Sequence, residues 1–253
     1  MNYLNKTVLK SLEILQYFKM KPQLSLKELE ELSQLPKSTL HRIVLTLEHQ
    51  GFLKRDSDAA KPRFELGLTL LELGNLVSSH LEIRKVALPY MEELRNSVNE
   101  AVNLVIREKD EAIYIEKVDT SHPVRVYTKV GRSAPLYAGA CPRVLLSNLS
   151  DQEIEEYFSN LDLKKIGNGT IQDKEELYKA IEECRLSGFT VSYGELETDS
   201  AAVAVPIRGH SGTVIAGLSI AGPIQRFNQE NIEQFVRQAK ECANSISSQM
   251  GFR

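Results

Sequence analysis

Residues 37–42, KSTLHR, gather two cations, two hydroxyls and an imidazole on the first turns of one prospective helix. Lys37, Ser38, Thr39, His41 and Arg42 all lie off the apolar stripe Leu40, Ile43, Val44, Leu47, whose i, i+3, i+4, i+7 spacing marks a buried face. The guanidinium of Arg42 is a rigid fork that can engage two acceptors at once, on a phosphate or on the major-groove edge of guanine. Ser38 and Thr39 can contact phosphate or either base edge. A solvated helix face explains any one of these residues alone. Their concentration at a helix start, where the dipole also favours anions, points to a surface that reads DNA.

The flanking elements are those needed to present such a helix. Val8, Leu12, Leu15 and Phe18 recur at helical spacing, and Pro22 follows the helix end. Ser25 followed by Glu28 reads as a capping box for a second helix, with Leu26, Leu29 and Leu32 on its inner face. Leu35-Pro36 breaks the chain, Pro36 taking the first position of the third helix, and Gly51 ends that helix as a left-handed cap. FLKR (52–55) and RFEL (63–66) read as two strands joined by the turn DSDAAKP. They place Arg55, Lys61 and Arg63 on a wing that grips backbone or enters the minor groove. The order is that of a winged helix-turn-helix domain over residues 1–67.

Residues 68–84, LTLLELGNLVSSHLEIR, form a leucine-rich linker helix. Its Leu70, Leu71, Leu73, Leu76, Val77 and Leu81 cover more than one face, so part of it either meets another chain or packs within its own. From 85 to 253 the pattern is mixed. Residues 101–107 and 112–118 read as a hairpin and 124–130 alternates as a strand. Residues 141–149, 151–159 and 173–187 read as helices, 201–207 and 213–222 as two strands, and 228–249 as a closing helix. Hairpins with helices outside them give an α+β fold built on an antiparallel sheet.

Charge is divided unevenly. Residues 1–67 hold 11 Lys and Arg against 8 Asp and Glu, net +3, and the remainder holds 20 against 26, net −6. A basic head on an acidic body is a footprint for phosphate contact. Cys141, Cys184 and Cys242 are too far apart and too few for a disulfide framework or a zinc site. The N-terminus reads as no signal peptide and no apolar run is long enough to span a membrane, so the expected compartment is the cytoplasm.

Other chemistry finds little support. Cys141 at a helix start is either a thiol of depressed pKa or a small buried one. A nucleophile also needs a positioned base, and the histidine nearest in sequence, His122, sits in an apparent loop. The five histidines show no HxH or HExxH spacing, and there is no P-loop or GxGxxG, so no metal, cofactor or enzymatic activity is assigned.

"LSLKELEELSQLPKSTLHRIVLTLEHQGFLKRD…RFELG", with "GRSAPLYAGA", "SGFTVSYGELE" and "AGLSIAGP" further on, resembles the IclR family of bacterial transcriptional regulators along essentially the whole chain. "APLYAGAC", "TVSYGELE" and "SIAGP" resemble its KipR-like branch. The resemblance implies a winged-helix domain, a dimerising linker helix and a GAF-like effector domain. It implies a repressor that binds double-stranded operator DNA as a homodimer or a dimer of dimers, under control of a small-molecule effector. The reading from another class is a metabolite-binding module whose winged helix mediates protein contacts, and the chemistry of residues 37–42 argues against it.

The resemblance also implies an effector site. Aligned on "GRSAPLYAGACPRVLL", the carboxylate-binding amides fall at Ala140 and Cys141. The four polar side chains of the family pattern, an Asp, a Cys and two Ser, fall at Ser192, Ala202, Ser219 and Ala221. Three of the four depart from that pattern, which argues against a glyoxylate- or pyruvate-type effector and leaves a larger or less polar ligand, or loss of sensing. Pro142 removes one amide from the helix start, and Arg143 either compensates in charge or faces solvent. Tyr193 and Glu195 lie near the altered positions.

Overall fold

Ser25 starts the second helix as its spacing predicts. The Ser25 hydroxyl receives the Glu28 N–H at 3.3 Å while the Glu28 carboxylate receives the Ser25 N–H at 2.8 Å, closing the capping box. The computed structural model describes residues 4–56, 62–80 and 82–252, apart from a few side chains near residue 80. It divides into two units, residues 1–80 and 81–253.

The first unit runs α1 (Lys6–Tyr17), β1 (Leu24–Ser25), α2 (Leu26–Ser33), α3 (Lys37–His49), β2 (Leu53–Asp56), β3 (Arg63–Leu66) and α4 (Leu68–His80). The strands form an antiparallel sheet in the order β1-β3-β2. Ile14, Phe18, Leu29, Leu40, Ile43, Val44, Leu53 and Phe64 close one apolar core beneath the three helices. Gly51, at φ +73°, lets Phe52 donate back to Leu47 at 2.8 Å and Gly51 to Glu48 at 3.0 Å. That pair of bonds stops α3 and turns the chain into the wing.

Three details differ from the sequence reading. Ile14 and Phe18, not Val8 and Leu12, carry α1 into the core; Val8 and Leu12 are about half exposed, at 52% and 53%. Leu32 is likewise exposed. Pro36 stands one residue earlier than expected, as the N-cap of α3 with ψ 134°, because it has no N–H to satisfy at either position. The turn residues 57–61, Lys61 among them, lie outside the described residues.

The second unit runs α5 (Glu82–Val98), β4 (Ala101–Glu108), β5 (Glu111–Val118), β6 (Ser133–Pro135), α6 (Ala140–Ser147), α7 (Asp151–Ser159), α8 (Lys174–Ser187), β7 (Thr190–Tyr193), β8 (Ser200–Arg208), β9 (Val214–Pro223) and α9 (Gln229–Gln249). The six strands form one antiparallel sheet in the order β6-β5-β4-β9-β8-β7. Strand alternation divides its faces. Val102, Leu104, Val203, Val205, Leu218 and Ile220 meet α5 and α9, while Val105 and Ala204 turn towards α6 and α8.

The described residues of 68–84 are helical, in α4 up to His80 and in α5 from Glu82, and α5 continues to Val98; residue 81 is outside the described residues, as are the side chains of Val77 and Leu81. One expectation is corrected here. Residues 124–130 are not a strand. The edge of β5 is taken instead by β6, through Ser133↔Ile113 and Pro135↔Glu111, and Tyr114 pairs with Gly131 and Arg132. The alternation in 124–130 reflects an inner face, Val126 and Thr128, turned towards a cavity rather than a ladder partner. Helix α5 and strands β1, β6 and β7 were not anticipated. Among the described residues no helix is long and apolar enough to cross a membrane.

Removing the capping hydroxyl by Ser25→Ala is expected to cost about 1 kcal/mol, read from the thermal unfolding of the full chain. The Lys21 ammonium, with the Ser25 donors, holds the Glu28 carboxyl at about 2, below its usual 4.5. A value depressed in the folded state gives a contribution complete above 4.5 and lost as pH falls towards 2. Calorimetry should therefore show Glu28→Gln less stable than the parent near neutrality, with the gap closing in acid. A gap of constant size contradicts the assignment.

Candidate nucleic-acid interface and ligand cavity

On α3 the inward residues Leu40, Ile43 and Val44 leave Lys37, Ser38, His41 and Arg42 exposed, with Thr39 half-buried. Ser38, His41 and Arg42 continue at the same spacing to Leu45, 39% exposed, and Thr46 lies beside it. Leu45 and Thr46 were missed by sequence reading, although the i, i+3, i+4, i+7 rule that located the buried face also locates this one. Leu45 offers an apolar contact of the kind a thymine methyl takes. No side chain caps the first turn of α3, so its leading amides remain available to a phosphate.

The wing is less free than its sequence implies. Arg55 shares the inward side of β2 with Leu53, donates to Glu48 at 2.8 Å, and its guanidinium stands 5.2 Å from the Phe64 ring centroid. Arg63 donates to the Gln23 carbonyl at 3.4 Å and lies 3.9 Å from Glu28. Both charges are partly compensated within the unit. The most exposed cation of β2 is Lys54, 3.3 Å from Glu65.

In the second unit the register assembles the other predicted residues. Asn103 pairs with Ser219, Ser219 with Ala204, Ala221 with Ala202, and Ala202 with Ser192. Residues paired across an antiparallel ladder share a face, so Ser192, Ala202, Ser219 and Ala221 stand together on the side facing α6. Their small side chains leave room. The N-terminus of α6 approaches closely at Gly217, where a Cβ would meet Cys141 Sγ at 2.7 Å. Ala140, Cys141, Ser192, Ala202, Ser219 and Ala221 all line one cavity of about 40 Å³, room for roughly three waters. Asn103, Tyr114, Thr128 and Arg132 line it too, and were missed. A single Asn in the apolar run AVNLVIR was the available signal. Tyr193, by contrast, is 44% exposed and does not line it.

Two amides of the α6 turn are already engaged. Ala140 N–H donates to Ser192 Oγ at 3.0 Å, and Gly139 N–H donates to the Glu195 carboxylate at 2.8 Å. Glu195 also pairs with Arg143, and both side chains are buried, so Arg143 compensates charge rather than facing solvent. Pro142 has no N–H. Among the described residues only the Cys141 amide in this first turn has no protein acceptor. At the rim Arg132 and Glu197 pair at 2.8 Å.

Burial pushes the Cys141 thiol up to about 12, a shift that the Ser219 hydrogen bond only offsets. It is a protonated, nearly inaccessible thiol at neutral pH, unsuited to nucleophilic work. Burial likewise raises Tyr114, whose phenol stays protonated and able to donate. The described residues contain no cluster of metal-ligating side chains.

Comparison with known proteins matches the two units separately. The IclR helix-turn-helix domain family covers residues 7–57, and the bacterial transcriptional regulator IclR C-terminal family covers residues 75–248. The HTH-type transcriptional regulator KipR of Bacillus subtilis is 47% identical over 248 residues, 98% of each chain. The HTH-type transcriptional regulator KdgR of Escherichia coli is 30% identical over 97% of this chain and 93% of its own. The crystal structure of an IclR homolog from Microbacterium hydrocarbonoxydans complexed with 4-hydroxybenzoate aligns at TM-score 0.80 and 28% identity, over 97% of this chain and 99% of that one. With a recognition helix in one unit and a sheet-and-helix cavity in the other, the chain belongs to the IclR family of bacterial transcriptional regulators.

Proposed function

We propose that the chain is a cytoplasmic repressor that docks α3 in the major groove of its operator and is modulated by a small molecule bound in the α6 cavity. The observation that carries the DNA half is the exposed row Ser38, His41, Arg42 and Leu45 beside the uncapped start of α3. Lys37 and Thr39 flank that row, and Lys54 with the less available Arg55 and Arg63 supports the wing. Repression as the sign of regulation follows from the KipR-like resemblance.

Assembly follows from α4. Leu68, Leu71, Leu73 and Leu76 are 74%, 60%, 47% and 59% exposed, on more than one side of the helix, which is more apolar surface than a lone surface helix needs. A homodimer, alone or as a dimer of dimers, covers it and supplies the two recognition helices that a pseudo-palindromic site requires.

The effector half rests on the cavity shared by Ala140, Cys141, Ser192, Ala202, Ser219 and Ala221. A ligand larger than a few atoms has to displace the Arg132–Glu197 rim, which gives binding a way to favour one arrangement over another. A second reading, a DNA-binding regulator that no longer senses a ligand, is favoured by one observation: Ser192 and Glu195 already satisfy two amides of the α6 turn.

Fluorescence anisotropy with the intergenic DNA beside the gene, against scrambled DNA, tests the DNA half. Tight binding to the former alone is expected, weakening steeply as salt rises. Arg42→Ala should cost about 1–3 kcal/mol of operator affinity and relax specificity at one position; unchanged affinity with reduced thermal stability would show that Arg42 serves the fold instead. Leu71→Glu with Leu76→Glu should shift the sedimentation of the full chain to that of a monomer. If it leaves the dimer intact, α4 is not the interface.

A further inference from the structure

The turn after β7 delivers one of the chain's own carboxylates to the start of α6. Glu195, 5% exposed, accepts the Gly139 N–H at 2.8 Å and is held through both oxygens by Arg143, 3% exposed. Its backbone is clamped from the other side. The Glu195 carbonyl accepts from Gly167 N–H at 2.9 Å and from Thr170 Oγ1 at 2.7 Å, and Gly169 N–H donates to the Gly194 carbonyl at 2.9 Å. Gly167 and Gly169 approach so closely that a Cβ on either would run into the backbone of residues 193–195. A backbone amide, a helix N-terminus and a buried guanidinium are what a bound anion ordinarily receives from a protein. Here an internal side chain receives them.

We propose that Glu195 is a built-in anion, held at the start of α6 by the Gly139 amide and Arg143, that makes the adjoining cavity selective for small uncharged ligands; the ligand half rests on the effector reading above. Asn103 points to the same class independently. It is 1% exposed, it lines the cavity, and its Oδ1 has no partner among the described residues. Its Nδ2 reaches Ser219 Oγ only at 3.5 Å. Exchanging the two ends of the amide still leaves one of them unpaired, so the cavity asks for a polar, hydrogen-bonding ligand. Charge is already balanced. Arg143 has Glu195 and Arg132 has Glu197, so an incoming carboxylate meets no uncompensated cation and lies near two carboxylates. An uncharged molecule that donates to Asn103 and accepts from the Cys141 amide meets no such penalty.

The test replaces Glu195 by alanine in the full chain and compares thermal unfolding in sodium acetate with sodium chloride at equal ionic strength. The parent should unfold at the same temperature in both salts. Glu195→Ala should unfold several degrees lower in chloride and recover most of the loss in acetate, saturably, as a bound ligand does. Arg143→Met combined with Glu195→Ala should show no acetate-specific recovery. A parent that gains as much from acetate as the variant does, or a variant that gains nothing, overturns the proposal. Glu195→Gln keeps the shape and the Gly139 bond without the charge, and covers the case in which the alanine variant does not fold. It should be less stable than the parent, and equal stability also overturns the proposal. The acetate arm reads the built-in anion apart from the effector reading: recovery upholds it and absence of recovery removes it, whichever way operator affinity responds to a ligand.

Discussion

Two charges withdrawn from water, Glu195 and Arg143, set the terms for the second unit. Neither can be buried alone, since a buried pair that loses one partner leaves an uncompensated charge at a cost of about 3–5 kcal/mol. The surrounding chain is arranged to keep them together. Gly139 adopts φ +92° at the start of α6, the 167–170 loop bonds the Glu195 backbone, and Gly217 lets α6 lie close against β9. Because α6 is pinned at that end, the space left over small residues of β7, β8 and β9 has definite walls.

The first unit is built on a different logic. Its organising contacts are local: a capping box at Ser25, a proline at the head of α3, and a left-handed glycine at its foot. These devices orient α3 through a core of nine buried apolar residues and leave its opposite face for a partner. Two of the cations on the wing, Arg55 and Arg63, also brace it against Glu48 and Glu28.

This difference explains what could be read in advance. Capping and periodicity act within a few residues, so the helix-turn-helix order and the buried stripe of α3 were legible, and exposed Leu45 went unnamed because only the polar residues off that stripe were singled out. The cavity depends on register between strands more than a hundred residues apart, such as Asn103 with Ser219. Only the family resemblance reached it, and it reached the positions the family uses and not Asn103, Tyr114, Thr128 or Arg132. The error at 124–130 has the same root. Alternation reports that one side of a segment is covered, and cannot tell a neighbouring strand from a pocket.

The uneven charge has a consequence for how the molecule meets a polyanion. Its net charge of −3 makes it weakly repelled by DNA at long range, although residues 1–67 carry +3. At physiological ionic strength charges sense each other only within about 8 Å. A duplex therefore interacts with whichever part of the surface touches it. Encounters led by the acidic portion are rejected and those led by the basic portion persist, so collisions are sorted by orientation before any base is read. In dilute salt that sorting reaches further from the surface, because the uneven charge is then less screened.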